Sequence, residues 1–211
     1  MSYSENLWLF LVLLVGIIAV PGMDMFFVLT NALTGGRRAG LAATGGIMAG
    51  GAVHTLFGAV GVGLIAATMP GVFTAMLIAG AAYMAWIGVT LLRSSITVEA
   101  IAGAASRSRL VAFRQGAITC LLNPKAYLFV IAVYPQFLKP AYGPLWPQAL
   151  VMGAMTLLTQ LGIYGGLALA AGRSRSFLTS SPRATMLIGR GAGAIFILVA
   201  VLTAWHGWQG A

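Results

Sequence analysis

The sequence predicts an all-α integral membrane protein: six transmembrane helices in two inverted three-helix repeats, with the N and C termini outside. Three observations predict it. Of 211 residues, 60% are hydrophobic and 7% charged, where soluble domains carry about 25% charged residues. The apolar residues gather into six runs of about 20, long enough to cross a hydrocarbon core ~30 Å thick. Ten of the twelve Lys and Arg residues fall in alternate links, which orients the chain by the positive-inside bias.

The six runs cover residues 7–32, 41–68, 72–92, 113–137, 147–171 and 185–205. Only Glu5 is charged at the N-terminal flank. The first run lacks the basic flank of a cleaved leader and is expected to stay as a membrane helix. Arg37 and Arg38 follow the first run; Arg93, Arg107, Arg109 and Arg114 follow the third; Arg173, Arg175, Arg183 and Arg190 follow the fifth. Those links are therefore cytoplasmic. This placement accounts for most of the net charge of +9 without nucleic acid as a partner. Met69-Pro70-Gly71 reads as a tight turn, and Pro140, Pro144 and Pro147 punctuate the link between the fourth and fifth runs. The link 93–114 is the longest polar stretch and implies no second domain. The whole chain, 1–211, reads as one transporter domain with halves of about 1–95 and 110–211.

Two runs carry a break and a charge. In the first, Pro21-Gly22-Met23-Asp24 interrupts the apolar pattern; in the fourth, Asn123-Pro124-Lys125 does the same. Each proline removes a backbone donor, which frees the carbonyl of Ile17 in one case and Cys120 in the other. Gly22 adds backbone freedom. Counted at 1.5 Å per residue from the cytoplasmic edges, Asp24 lies about 15 Å deep and Lys125 about 18 Å deep, near the bilayer midplane. A lysine there is too deep to snorkel and marks a functional site by default. The two charges read as a structural ion pair locking two helices, as two walls of one polar cavity, or as both. Interrupted segments at matching positions of two halves point to a transporter's binding site. A restarted helix at Pro124 presents a positive end suited to a carboxylate, while freed carbonyls and Asp24 suit an ammonium. Such a site fits a zwitterion.

Other candidates are weaker. Gly46 and Gly50, with Ala42 before and His54 after, share one face of the second run and read as a helix-packing stripe. His54 reads as a hydrogen-bonded interior histidine, with proton relay as the alternative. Gln160, Thr156 and Thr159 line either a polar path or an interhelical contact. His206 lies beside Trp205 and Trp208, an interfacial belt. Cys120 is the one cysteine, which excludes an intrachain disulfide or a CxxC redox pair. Two histidines, three carboxylates and one cysteine offer no metal cluster of recognisable spacing, and there is no phosphate-binding loop. Neither a cofactor nor an enzymatic activity is expected.

The stretches PGMDMFFVLTNALTGGRRAGLAATGGIMAGG, AAYMAWIGVTLLRS and FRQGAITCLLNPKAYLFVIAVYPQFL resemble the LysE/RhtB family of bacterial amino-acid exporters, in order and spacing over most of the chain. The resemblance implies an inner-membrane exporter of amino acids or close derivatives. It also implies coupling to the proton gradient or membrane potential rather than to ATP. Pro21, Gly22 and Asp24 match its first signature, and Asn123, Pro124 and Lys125 its second. The family usually carries Pro-Gly-Pro in the first; Met23 here means one breaker fewer. The site residues expected to bind substrate or couple its export are Asp24, Lys125, Asn123, Pro21, Gly22, Pro124, His54 and Gln160. The expected partners are an amino-acid-like substrate, the lipid bilayer and a proton or other coupling ion; exposed small-residue faces permit a homodimer. The rival readings are a metal-ion or other small-solute exporter on this scaffold, and a non-transporting membrane assembly subunit.

Overall fold

A computed structural model describes residues 1–93 and 108–171, together with helical positions 186, 187, 190, 191, 194, 195, 197, 198, 200 and 201. The segments 94–107, 172–185 and 202–211 lie outside the described residues, and with them Trp205, His206, Trp208 and most of the sixth predicted run. The described residues form helices and no strand: α1 Tyr3–Ala19, α2 Met23–Thr68, α3 Pro70–Arg93, α4 Arg109–Leu121, α5 Pro124–Phe137, α6 Leu145–Gln160 and α7 Gly166–Leu169, with a 3-10 turn at Pro140–Tyr142 and a π turn at Leu161–Gly165.

The first predicted run is two helices rather than one. α1 opens on a capping box, in which the Ser2 hydroxyl accepts from Glu5 N–H and Glu5 accepts from Ser2 N–H. These bonds hold the Glu5 carboxyl below its usual range. The helix stops at Ala19, because Pro21 cannot donate to Ile17. α2 restarts at Met23, so with methionine in place of a third breaker the interruption is confined to Val20, Pro21 and Gly22.

α2 contains one non-helical residue, Gly36, with φ 76° and ψ 176°, a region open essentially to glycine alone. The chain reverses there. A methyl group on Gly40 would lie 2.5 Å from Ala32 Cβ and 2.9 Å from Ala168 Cβ, although eight residues of straight helix would separate 32 from 40 by about 12 Å. The first arm, up to the bend, completes the first predicted run. The second arm contains the second.

The fourth predicted run divides in the same way. α4 ends at Leu121, and Asn123 caps α5 by accepting the Lys125 N–H at 3.0 Å, with Pro124 in the first turn, where a missing N–H costs nothing. Asp24 and Lys125 each occupy the second position of a restarted helix. The prolines differ in place: Pro21 precedes its helix by two residues, whereas Pro124 opens its own.

Packing brings the breaks together. The second arm of α2 lies against α4 at backbone contact. A methyl on Gly50 would come within 2.7 Å of Cys120 Cβ, one on Gly116 within 2.5 Å of the Ala43 carbonyl oxygen, and one on Gly46 would overlap the Phe113 carbonyl. α1 runs antiparallel to α5. Asn6 Nδ2 donates to Phe137 O at 2.9 Å, Phe10 packs among Phe129, Tyr134 and Phe137, and the last turn of α1 meets Lys125. The interior includes Leu13, Leu14, Val28, Leu29, Ile47 and Met152.

Leu56, Phe57, Val60, Leu64, Ile78 and Trp86 are exposed. Among the described residues, Met23–Val62 and Leu145–Leu169 are long and apolar enough to cross a bilayer, and Tyr3–Ala19 and Leu128–Phe137 are shorter apolar helices.

Candidate functional site

Between α1, α2, α5 and α6 lies a cavity of about 40 Å³. That holds a few water molecules, since one needs about 10–15 Å³ by this measure, and it is smaller than an amino acid. Four predicted residues line it: Asp24, His54, Lys125 and Gln160. Pro21, Gly22, Asn123 and Pro124 form the breaks that set those side chains in place.

Lys125 does not pair with Asp24 as its leading contact. Its Nζ donates to Ile17 O and to Val20 O, both at 3.0 Å. The physical cause is the first break. Pro21 leaves Ile17 O without its helical donor, and the last carbonyls of α1 form the negative end of the helix. An ammonium from α5 satisfies them. Gly22 gives it room, since a methyl there would stand 3.1 Å from Nζ. The carbonyls that the sequence reading offered to a substrate's ammonium are thus held by the protein's own. Of the three N–H groups of Lys125, one is left over for the cavity.

His54 treats the second break in the same manner. Its Nε2 lies 3.0 Å from Cys120 O, the carbonyl that Pro124 leaves without its helical donor. A carbonyl only accepts, so that ring nitrogen carries the hydrogen. Asn123 N–H reaches the same oxygen at 3.0 Å. His54 is the hydrogen-bonded interior histidine of the packing stripe. The free thiol of Cys120 is buried and lines the cavity.

Asp24 and Asn123 are the unfinished parts of the arrangement. Asp24 is 3% exposed and Asn123 2%, and among the described residues neither Asp24 Oδ1 nor Asn123 Nδ2 has a partner in hydrogen-bond geometry. Asp24 lies within electrostatic reach of Asn123, Lys125 and His54. The Asp24 carboxylate, the Asn123 carboxamide and one leftover ammonium N–H thus sit close together. A group with one positive and one negative end meets all three.

The far wall contains residues that sequence reasoning missed. Tyr134 Oη lies 2.9 Å from Thr55 Oγ1 and 3.5 Å from Thr156 Oγ1, and Thr156 Oγ1 donates to Met152 O at 2.9 Å. The available signal was a phenol within the apolar stretch VIAVYPQF. Tyr164 also lines the cavity, in the π turn that follows Gln160; such turns recur at functional sites. Thr159 bonds its own helix, to Met155 O at 2.7 Å, and is not among the lining residues.

Comparison with known proteins adds independent information. The profile of LysE type translocators matches residues 15–207. The homoserine/homoserine lactone efflux protein of Salmonella typhimurium is 29% identical over 186 residues, 87% of this chain and 88% of that protein. An uncharacterized membrane protein of Vibrio cholerae is 30% identical over 87% of this chain and 89% of its own. The leucine efflux protein of Salmonella choleraesuis is 31% identical over 63% of each chain. No solved structure matches. A match that takes in both breaks, the Gly36 bend and the cavity places this chain in the family of LysE type translocators.

Proposed function

We propose that the protein is a secondary active exporter that moves amino acids or close derivatives out across the bacterial inner membrane. The observation that carries this reading is the cavity lined by both the Asp24 carboxylate and the Lys125 ammonium, with the Asn123 carboxamide beside Asp24. The substrate's ammonium meets Asp24 Oδ1, and its carboxylate meets Asn123 Nδ2 and the third N–H of Lys125. The efflux activity in the names of the relatives supports the same reading.

The architecture proposed around the site is six spans, with an inverted pair of three-span halves and both termini outside. The equivalence of Asp24 and Lys125 at the second position of their restarted helices supports the repeat. The antiparallel course of α1 against α5, and the side-by-side course of the second arm of α2 and α4, agree with the orientation drawn from the arginines. The cavity is smaller than an amino acid, so alternating access requires the two halves to part. Export is driven by the proton gradient or the membrane potential, the latter contributing about 2.3 kcal/mol per charge per 100 mV.

The test uses purified protein in liposomes loaded with a panel of radiolabelled amino acids, under an imposed proton gradient or potential. The expected result is efflux of at least one amino acid well above protein-free liposomes, stimulated by one of the two gradients. Efflux no faster than from protein-free liposomes for every amino acid, with correctly folded protein, contradicts the reading.

A further inference from the structure

The cavity has a second polar wall that the charged end does not use. Gln160 is 5% exposed, lines the cavity, and its Oε1 has no hydrogen-bond partner among the described residues. It is pressed there from behind, since a methyl on Gly51 would come within 2.8 Å of Oε1. Gln160 ends α6, four residues after Thr156 and four before Tyr164, and Tyr164 lies within electrostatic reach of Asp24. Gln160, Asp24 and Lys125 line the same small cavity, so a ligand held at the charged end has its side chain within that shared space.

The other polar groups on this wall already have partners. Thr156 donates to a backbone carbonyl, and Tyr134 and Thr55 bond each other. Gln160 Oε1 alone among them calls for a donor. Leu14, Ile17, Ile18, Phe129 and Val130 supply apolar walls between, which accommodate methylene groups.

We infer that Gln160 is the side-chain subsite of the cavity, and that it selects a short amino acid whose side chain ends in a hydrogen-bond donor, such as a hydroxyl, over an apolar one of equal size. This rests on the export reading above. A hydroxyl donates to Oε1 and accepts from the same amide, whereas a methyl leaves the buried Oε1 unmet. Sites built to hydrogen-bond a substrate hydroxyl discriminate strongly against the analogue that lacks it.

Homoserine and norvaline differ only in a terminal hydroxyl against a methyl and serve as the probe pair. In liposomes, the wild-type protein is expected to prefer homoserine by at least about tenfold in kcat/KM. Gln160→Met keeps the volume and removes the amide; the preference should fall to about threefold or less through slower homoserine export. Gln160→Asn, which withdraws the oxygen by one methylene, should lower it as well and serves if the methionine variant fails to assemble. Equal transport of both probes by the wild type, or a preference unchanged in both variants, overturns the subsite while leaving export intact. Export of no amino acid at all overturns the reading beneath it.

Discussion

Lys125→Met is expected to abolish export and to destabilise the protein together. The side chain answers two carbonyls, Ile17 O and Val20 O, that have no helical donor. Leaving each buried and unmet costs about 1–3 kcal/mol, so the apparent melting temperature of the purified variant should drop by several degrees. Transport should fall by at least about tenfold even at temperatures where the variant is folded, because a hydrogen bond from a charged group contributes about 1.5–3 kcal/mol. Lys125→Arg should not rescue it. The ammonium sits where a methyl on Gly22 would stand 3.1 Å away, and a planar guanidinium needs more width. Liposome efflux and thermal unfolding of the same preparation check both halves. A lowered melting temperature with wild-type efflux would leave Lys125 a purely structural cap.

Gly46→Leu is expected to prevent assembly. Even the first carbon of the new side chain would overlap the Phe113 carbonyl, and that atom is backbone in a helix, with no rotamer to yield. The second arm of α2 and α4 would have to separate along their length, carrying His54 away from Cys120 O and opening the second break. Overpacking of an ordinary core costs about 1–3 kcal/mol; here the obstacle is main chain on main chain, so the loss is larger. Little monodisperse protein should survive detergent extraction. Gly61→Ala is the matched control, since nothing lies within 4 Å of the added methyl and helical alanine is favoured over glycine. Equal yields of the two variants would mean that α2 and α4 do not pack as described.

The breaks were legible in the sequence because proline has a local effect that no tertiary context removes. Pro21 and Pro124 each dictate which carbonyl is orphaned. The packing role of Gly46 and Gly50 was legible for a similar reason, since small residues four apart share a face. The link holding Arg37 and Arg38 ended the first run, but only the Gly36 backbone angle makes it a reversal. What answers an orphaned carbonyl was not legible. Lys125 reaches Ile17 O across 108 residues of chain, and sequence spacing holds no record of that distance. Charge complementarity drew attention to Asp24 instead, yet the carbonyl end of α1 lies nearer. Tyr134 was hidden because a phenol in an apolar run is mostly ring, and its polarity matters only once Thr55 is opposite.

The central claim is that Asp24 holds the substrate's ammonium in a cavity whose fold does not need the carboxylate. Among the described residues Asp24 Oδ1 has no partner in hydrogen-bond geometry, so Asp24→Asn should leave the melting temperature within a few degrees of wild type or raise it. The measurement is equilibrium binding, by calorimetry on the purified variant, of the amino acid that the wild type exports best. Truncating one partner of a buried charge pair costs about 2–5 kcal/mol, so affinity should fall about 30-fold or more in folded protein. Unchanged affinity in the folded variant, with efflux at the wild-type rate, would contradict the account.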